Sequence, residues 1–262
     1  MVDRMSKKIG IILNGATGRI CSTQHLANSL VPICSEGGLK LSDETILPEI
    51  ILVGRNAKKL EKIVQANNLQ KWSTDIETVL ADSRYHILFD GSATAARQQV
   101  LKLALDAGKH IYSEKPVALS VDEGLQILEL AAQKGLKHGA VEDKMYAPGF
   151  LKMASLANEG FFGTIVGFKL DFGWWVFDGI TAPSNRASWN YQKKHGGGIF
   201  FDMFPHWRYV IEEIIGPIKS IVAAGWTAQK IRADEGGGSY GVDVEDSGSV
   251  IVELQDNVFG TI

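Results

Sequence analysis

The chain has 262 residues, 45% of them hydrophobic and 22% charged, with a formal net charge of -3 at pH 7. That is the make-up of a globular protein large enough for one big domain or two of middling size. Dispersed Lys and Arg offer no basic patch to nucleic acid or an anionic membrane, and the polar start and lack of a long apolar run imply no signal peptide and no bilayer span, so the cytoplasm is the expected location.

Residues 9–13 read as a short buried strand that ends in Asn14-Gly15-Ala16-Thr17-Gly18-Arg19-Ile20 and opens a helix to about 30. Strand, glycine turn and helix make the phosphate-binding unit of a dinucleotide fold. Gly15 and Gly18 let the backbone approach a pyrophosphate, and the free N–H groups and dipole of the helix start attract its charge. The expected cofactor contacts are therefore Gly15, Ala16, Thr17, Gly18, Arg19 and Ile20. Cys21 stands where a third fingerprint glycine would fall, and it is small enough to let helix and strand pack. Residues 31–48 read as a polar insertion without assigned function. A strand over 50–53 then leads to Gly54-Arg55-Asn56 and a Lys-rich helix over 57–66. An acid at this strand tip usually grips the adenosine ribose of NAD. A guanidinium suits a 2′-phosphate, so Arg55, with Asn56 beside it, favours NADP over NAD. The plain alternative is that Arg55 caps an exposed helix.

The alternation continues with a helix over 76–81, a strand over 86–89, a helix over 94–107 and a strand over 110–112. Ser120-Val121-Asp122-Glu123 has capping-box spacing and starts a helix to 134, and 137–141 is a further strand. Strands separated by helices give a mainly parallel, doubly wound sheet, so 1–141 is the expected dinucleotide-binding Rossmann domain. The strand over 110–112 runs into Ser113-Glu114-Lys115-Pro116. Pro116 ends it and presses Lys115 toward an extended backbone at a strand tip, where ligands sit in open parallel sheets. Glu114, Lys115 and Pro116 join the expected cofactor contacts, against the plain alternative of a solvated turn.

A helix over about 147–157 follows, and then Phe168, Leu170, Phe172 and Trp174 alternate with Lys169, Asp171, Gly173 and Trp175, the period of a half-buried strand. Further strands fall at 218–227 and 250–254, with a helix over 204–215 before them. Residues 142–262 are thus expected to form an α+β domain with an open, mainly antiparallel sheet for substrate binding and oligomerisation. A turn at 255–257 and a last strand at 258–262 leave a bare edge, which implies either a sheet that should continue or a partner chain that covers it. Gly196-Gly197-Gly198 is useful where another group must come very close. Asp202 and His206, four apart, share one helix face, and Pro205 is tolerable only in a first turn, which puts the pair at the helix N-terminus. A carboxylate beside an imidazole fixes its tautomer and raises its proton affinity, as a general base needs. The plain alternative is a capping Asp and a packed His.

The glycine turn, Glu114-Lys115-Pro116, and the glycines with Asp202 and His206 together resemble the Gfo/Idh/MocA oxidoreductase family. The resemblance runs nearly end to end, including Val244-Glu245-Asp246 and Gly260-Thr261-Ile262. It implies a Rossmann domain followed by an open antiparallel sheet that carries substrate and often the dimer contact, hence a homodimer or homotetramer. It places Lys115 between nicotinamide and substrate, has Asp202 touch substrate or orient its neighbour, and has His206 shuttle the proton. Family chains are usually longer, and many carry Gly-x-Gly where this one has Gly-Ala-Thr-Gly.

The expected reaction is hydride exchange between NADP(H) or NAD(H) and a secondary alcohol carbon of a carbohydrate-like small molecule. Lys115, Lys144, Trp189, Tyr191, Asp202 and His206 are the expected substrate contacts, with sugar stacking assigned to Trp189 and Tyr191. Trp174 points to the core by its alternation, and Trp175 and Phe177 crowd the same approach. Arg186 and Lys193 either meet an acidic substrate group or are solvated. Cys21 and Cys34 suggest no disulfide framework, and no cluster has metal-ligand spacing, so no metal is expected. Two rival readings stand: a cofactor-dependent sensor or repressor without turnover, and a ring reductase similar to dihydrodipicolinate reductase, whose opening Gly-Ala-Thr-Gly-Arg also resembles.

Overall fold

Ile12 and Leu13 are consecutive, and their opposite directions feed two separate cores, as a strand covered on both faces requires. They belong to β1 (Met5–Asn14), the middle of a seven-stranded sheet with β2 (Leu39–Lys40), β3 (Glu44–Val53), β4 (Trp72–Ser73), β5 (Tyr85–Asp90), β6 (His110–Ser113) and β7 (His138–Ala140). The order is β2-β3-β1-β5-β6-β7, with β4 also on β3, and every pairing but that of β2 with β3 is parallel. This is a doubly wound Rossmann sheet whose direction of growth reverses between β1 and β5. The computed structural model describes residues 5–173, 179–183 and 186–262, and the chain divides into two units, Met1–Val141 and Glu142–Ile262.

On one face of the sheet, Ile12, Leu88 and Ile111 pack on α3 (Ile76–Ala81), α4 (Thr94–Asp106) and α5 (Val121–Gln133). Ser120 caps α5 by accepting from the Glu123 N–H, while Glu123 accepts from the Leu119 N–H. On the other face, Leu13 and Leu52 pack on α2 (Ala57–Ala66) and on a helix that winds wide, with π geometry over Ile20–Leu30, before tightening into α1 (Val31–Ser35). Cys21, Leu26 and Val31 reach this core at steps of five, which a helix bonded i→i+5 keeps on one side. The insertion expected over 31–48 is corrected accordingly. Its start continues the helix, and the rest is a short antiparallel pairing of β2 with a β3 that begins at Glu44 instead of 50.

In the second unit, α6 (Pro148–Asn158) and α7 (Ile199–Ile214) accompany a four-stranded sheet of β8 (Gly167–Lys169), β9 (Ile218–Trp226), β12 (Ser247–Leu254) and β13 (Phe259–Thr261). The order is β8-β13-β12-β9, antiparallel at β12–β13 and β12–β9 and parallel at β13–β8. A small hairpin joins β10 (Ile231–Ala233) to β11 (Ser239–Gly241). Val250, Val252 and Leu254 point into the core against Met203, Trp207 and Ile211 of α7, while Ile251 faces outward. β8 is shorter than its alternation suggested, and Trp174, Trp175 and Phe177 lie outside the described residues.

Candidate active site

In the first unit, β1 and β5 end side by side with Asn14 opposite Asp90. Asn14 Nδ2 donates to Asp90 Oδ1 at 2.7 Å, and Asp90 Oδ2 accepts from Ser92 Oγ at 2.9 Å and from Arg97 Nε at 3.1 Å. The Arg97 and Asp90 side chains are only 3% and 0% exposed. The same guanidinium donates from Nη2 to the Ser92 carbonyl at 2.6 Å and from Nη1 to the Pro116 carbonyl. Reading along the chain missed this network. The available signal was a cation at 97 in the apolar stripe that continues with Leu101, Ala104 and Leu105.

The turn after β1 needs glycine at 15, where φ is +74° and a Cβ would stand 2.7 Å from the backbone of Gly91 and Ser92. Ala16 N–H donates to the Val53 carbonyl at 3.1 Å and Gly18 N–H to the Gly15 carbonyl at 2.8 Å. Those two amides are spent inside the protein, so the free N–H groups expected at the helix start do not include those of Ala16 and Gly18. Thr17 lies against Gly54 at the tip of β3, since a Cβ on Gly54 would meet Thr17 Cγ2 at 3.3 Å. Arg19 is exposed and Ile20 starts the wide helix. Arg55 is exposed directly after Gly54, while Asn56 accepts from the Lys59 N–H at 3.0 Å and caps α2. The capping role weighed for Arg55 thus belongs to Asn56.

Lys115 is half-buried in the turn after β6. Glu114 faces inward, accepting from His25 Nε2 at 2.5 Å and from the Lys115 N–H at 3.2 Å, and the His25 ring packs on Phe89. Cys21 lies beneath Gly91, whose Cβ would fall 2.0 Å from its Sγ. Burial, then the Asp90 and Glu114 charges, push this thiol from an ordinary 9.0 up to about 12. The folded thiol therefore stays protonated where the unfolded one ionises, so Cys21 costs stability only as pH climbs above about 9. We expect iodoacetamide at pH 8 to spare Cys21 in the native protein and to alkylate it in denaturant, as read by peptide mass. Native labelling at the denatured rate would contradict its burial.

In the second unit, Gly198 precedes α7 at φ +118°, and a Cβ there would lie 2.4 Å from Glu245 Oε1. A Cβ on Gly197 would lie 2.4 Å from the Asn190 carbonyl oxygen. The close neighbours that the glycine run admits are thus the chain's own. The Glu245 carbonyl and carboxylate accept from the Ile199 and Phe200 N–H groups at the start of α7. Because α7 begins at Ile199, Pro205 sits inside the helix and not in its first turn, which corrects the expected start at 204. The carbonyl that its missing N–H would have served is that of Phe201, on an exposed turn.

Asp202 turns to Arg186, with Nη2 to Oδ2 at 2.6 Å. His206 lies on the buried stripe of α7 with Met203, Trp207 and Val210. Its Nδ1 is 2.7 Å from Tyr209 Oη and 3.5 Å from Asp143 Oδ1. The orienting role expected of Asp202 toward His206 is corrected: the carboxylate facing the ring is Asp143, because Arg186 engages Asp202. Tyr209 Oη also accepts from the Lys144 N–H at 3.0 Å, and Lys144 Nζ pairs with Asp143 Oδ2 at 2.9 Å. Burial pulls the Asp143 carboxyl up, but the Lys144 hydrogen bond and the charges of Lys144 and His206 prevail and hold it below the usual range. Burial pushes the Tyr209 phenol above its ordinary value.

A cavity of about 490 Å³ within this unit is lined by Arg186, Tyr191, Asp202, Arg232 and Glu245 among others. The Arg232 guanidinium lies 4.2 Å from the Tyr191 ring centroid and pairs with Asp246 at 2.6 Å. Trp189 is exposed and stands outside the lining residues. Lys193 is exposed, and its N–H donates to Asp243.

Comparison with known proteins matches residues 33–140 to the family model for the NAD-binding Rossmann fold of an oxidoreductase family, and residues 150–262 to that for the GFO/IDH/MocA C-terminal domain. The chain is 42% identical over 259 residues to the D-xylose dehydrogenase of Paenarthrobacter nicotinovorans, covering 97% of this chain and 67% of that protein. It is 21% identical over 204 residues to the levoglucosan dehydrogenase of Pseudarthrobacter phenanthrenivorans, covering 72% and 52%. An NAD binding oxidoreductase from Klebsiella pneumoniae has a TM-score of 0.80 at 20% identity, over 98% of this chain and 66% of that one. The chain therefore spans about two thirds or less of the lengths of these relatives.

Proposed function

The chain belongs to the Gfo/Idh/MocA oxidoreductase family, and from that premise we propose that it is a nicotinamide-dependent dehydrogenase of an uncharged sugar, oxidising a secondary alcohol carbon. The observation that carries this most is the 42% identity to a D-xylose dehydrogenase over nearly all of the chain, so an aldopentose is the first substrate to try. The sensor and the dihydrodipicolinate-reductase-like readings have no such support.

The residues present fit a dinucleotide. Gly15 bends the chain over the β5 tip, Thr17 brings a hydroxyl to the β3 tip, and Arg19 and Arg55 add exposed positive charge. The amides of Thr17, Arg19 and Ile20 would hold the phosphates of a bound dinucleotide, and Gly54 leaves the strand tip without an acid. A bound nicotinamide would supply the hydride acceptor. Lys115 holds the developing carbonyl oxygen by its charge, in the turn that Glu114 and Pro116 fix. His206 takes the hydroxyl proton, its ring held at Nδ1 by Tyr209 and Asp143 so that Nε2 is the exchanging atom. Asp202, Arg186 and Tyr191 form the polar wall that reads sugar hydroxyls; Lys144 acts through Asp143, and the exposed ring of Trp189 offers a face for stacking on the sugar. Exposed Val222, Ile251 and Phe259 on the second sheet suit a homodimer or homotetramer. Among the described residues no helix is long and apolar enough to cross a membrane, and the reading places the enzyme in the cytoplasm.

The test is a panel of aldopentoses, hexoses and polyols with NAD+ and NADP+, followed at the absorbance of the reduced cofactor. Turnover with an aldopentose is expected, faster with NADP+. Charged hydrogen bonds contribute about 1.5–3 kcal/mol, so Arg55→Ala should raise the NADP+ KM roughly 10- to 100-fold and spare NAD+. Cofactor binding without turnover of any sugar would favour a sensor. Equal loss with both cofactors would remove Arg55 from 2′-phosphate recognition.

A further inference from the structure

Arg97 is the fourth residue of α4, at the positive end of the helix dipole, with 3% of its side chain exposed. Neither the dipole nor the packing of that stripe asks for a cation there. A buried ion pair is also a weak source of stability, since apolar side chains of similar volume often serve as well. What an apolar side chain cannot do is donate in three directions. Arg97 does so, to the Asp90 carboxylate at the β5 tip, to the Ser92 carbonyl in the next loop, and to the Pro116 carbonyl directly after Lys115. Asp90 in turn accepts from Asn14, the residue before the Gly15 turn. The amide of Glu114 also donates to the Asp90 carbonyl at 2.8 Å. One guanidinium thus ties the glycine turn to the segment that carries Lys115.

We propose that Arg97, braced by Asp90, is a positioning residue that sets the direction of the Lys115 side chain for catalysis. The inference rests on the dehydrogenase reading above, within which Lys115 contacts the reacting oxygen. The planar fork of arginine cannot be reproduced by lysine, which offers one compact charge. Arg97→Lys therefore keeps the charge beside Asp90 and releases the Pro116 carbonyl. A misplacement of about 1 Å at a catalytic group costs about 10²-fold in rate.

The experiment is a double-mutant cycle on kcat with Arg97→Lys, Lys115→Ala and their combination, together with cofactor titration by fluorescence and mass-resolved acylation of lysines in the native protein. Arg97→Lys should lower kcat by about 10²-fold, leave cofactor affinity within about threefold, and cost nothing further once Lys115 is gone. The acylation rate of Lys115 should change several-fold while distant lysines keep theirs. If the two substitutions multiply in kcat, or if Lys115 acylates at its original rate, the proposal fails. Should no sugar turn over, the dehydrogenase reading fails, and the acylation result alone still decides whether Arg97 sets Lys115. If Arg97→Lys does not fold, Asp90→Asn with Arg97→Met removes both charges while keeping an acceptor for Asn14, and the same two readouts apply.

Discussion

Replacing His206 with glutamine should lower turnover by about 10²–10⁴-fold, the usual worth of a positioned proton acceptor, and leave cofactor affinity unchanged. The imidazole has Nδ1 committed to Tyr209 and facing Asp143, and in the proposed reaction Nε2 would exchange the proton. Tyr209 is itself fixed by the Lys144 N–H, which makes the ring direction a property of the packed unit and not of the substrate. Glutamine fills similar space and keeps a hydrogen-bonding group toward Tyr209, so the helix should stand. Pre-steady-state rates with saturating sugar and cofactor make the measurement. Turnover equal to that of the unmodified protein would take His206 out of the mechanism.

Gly15→Ala should abolish measurable cofactor binding and destabilise the protein. The left-handed backbone alone costs a non-glycine residue about 1–2 kcal/mol. The added methyl would also stand 2.7 Å from the carbonyl carbon and oxygen of Gly91 and the nitrogen of Ser92, all backbone atoms. They can yield only if the loop between β5 and α4 moves, and that loop carries Ser92, to which Arg97 donates. Gly37 separates the two costs, since it has φ +82° with nothing within 4 Å of a Cβ. Gly37→Ala should show the backbone cost without loss of binding. Urea denaturation and nucleotide titration of both variants decide it, and near-normal binding by Gly15→Ala would show the contact with β5 to be dispensable.

Much of the first unit is legible in the sequence because its strands are short apolar runs between amphipathic helices, a pattern that few folds produce. The strands around Ile12, Leu88 and Ile111, the capped helix after Ser120, and the turns at Gly15 and Lys115 can all be read directly. β2 and β4 cannot, because two residues carry no periodicity and their pairing is decided by the neighbour, β3. In the second unit, the i,i+4 spacing of Asp202 and His206 correctly puts them on one helix, but spacing is silent about competitors. Arg186 engages Asp202 from outside the helix, and Asp143 reaches the imidazole from 63 residues earlier in the chain. The start of α7 was hidden for a different reason. Glu245 supplies the cap from a distant segment, so the helix begins at Ile199, and Pro205 is tolerated where local rules would have barred it.

The wide winding over Ile20–Leu30 has an evolutionary corollary. Its inward positions recur at intervals of five, one more than an ordinary α-helix uses to return to the same side. A relative with one residue fewer between Cys21 and Leu26 would bring that interval to four, so α winding would still seat both side chains. Phylogenetic gaps should therefore cluster in this helix, leaving the strand before it aligned.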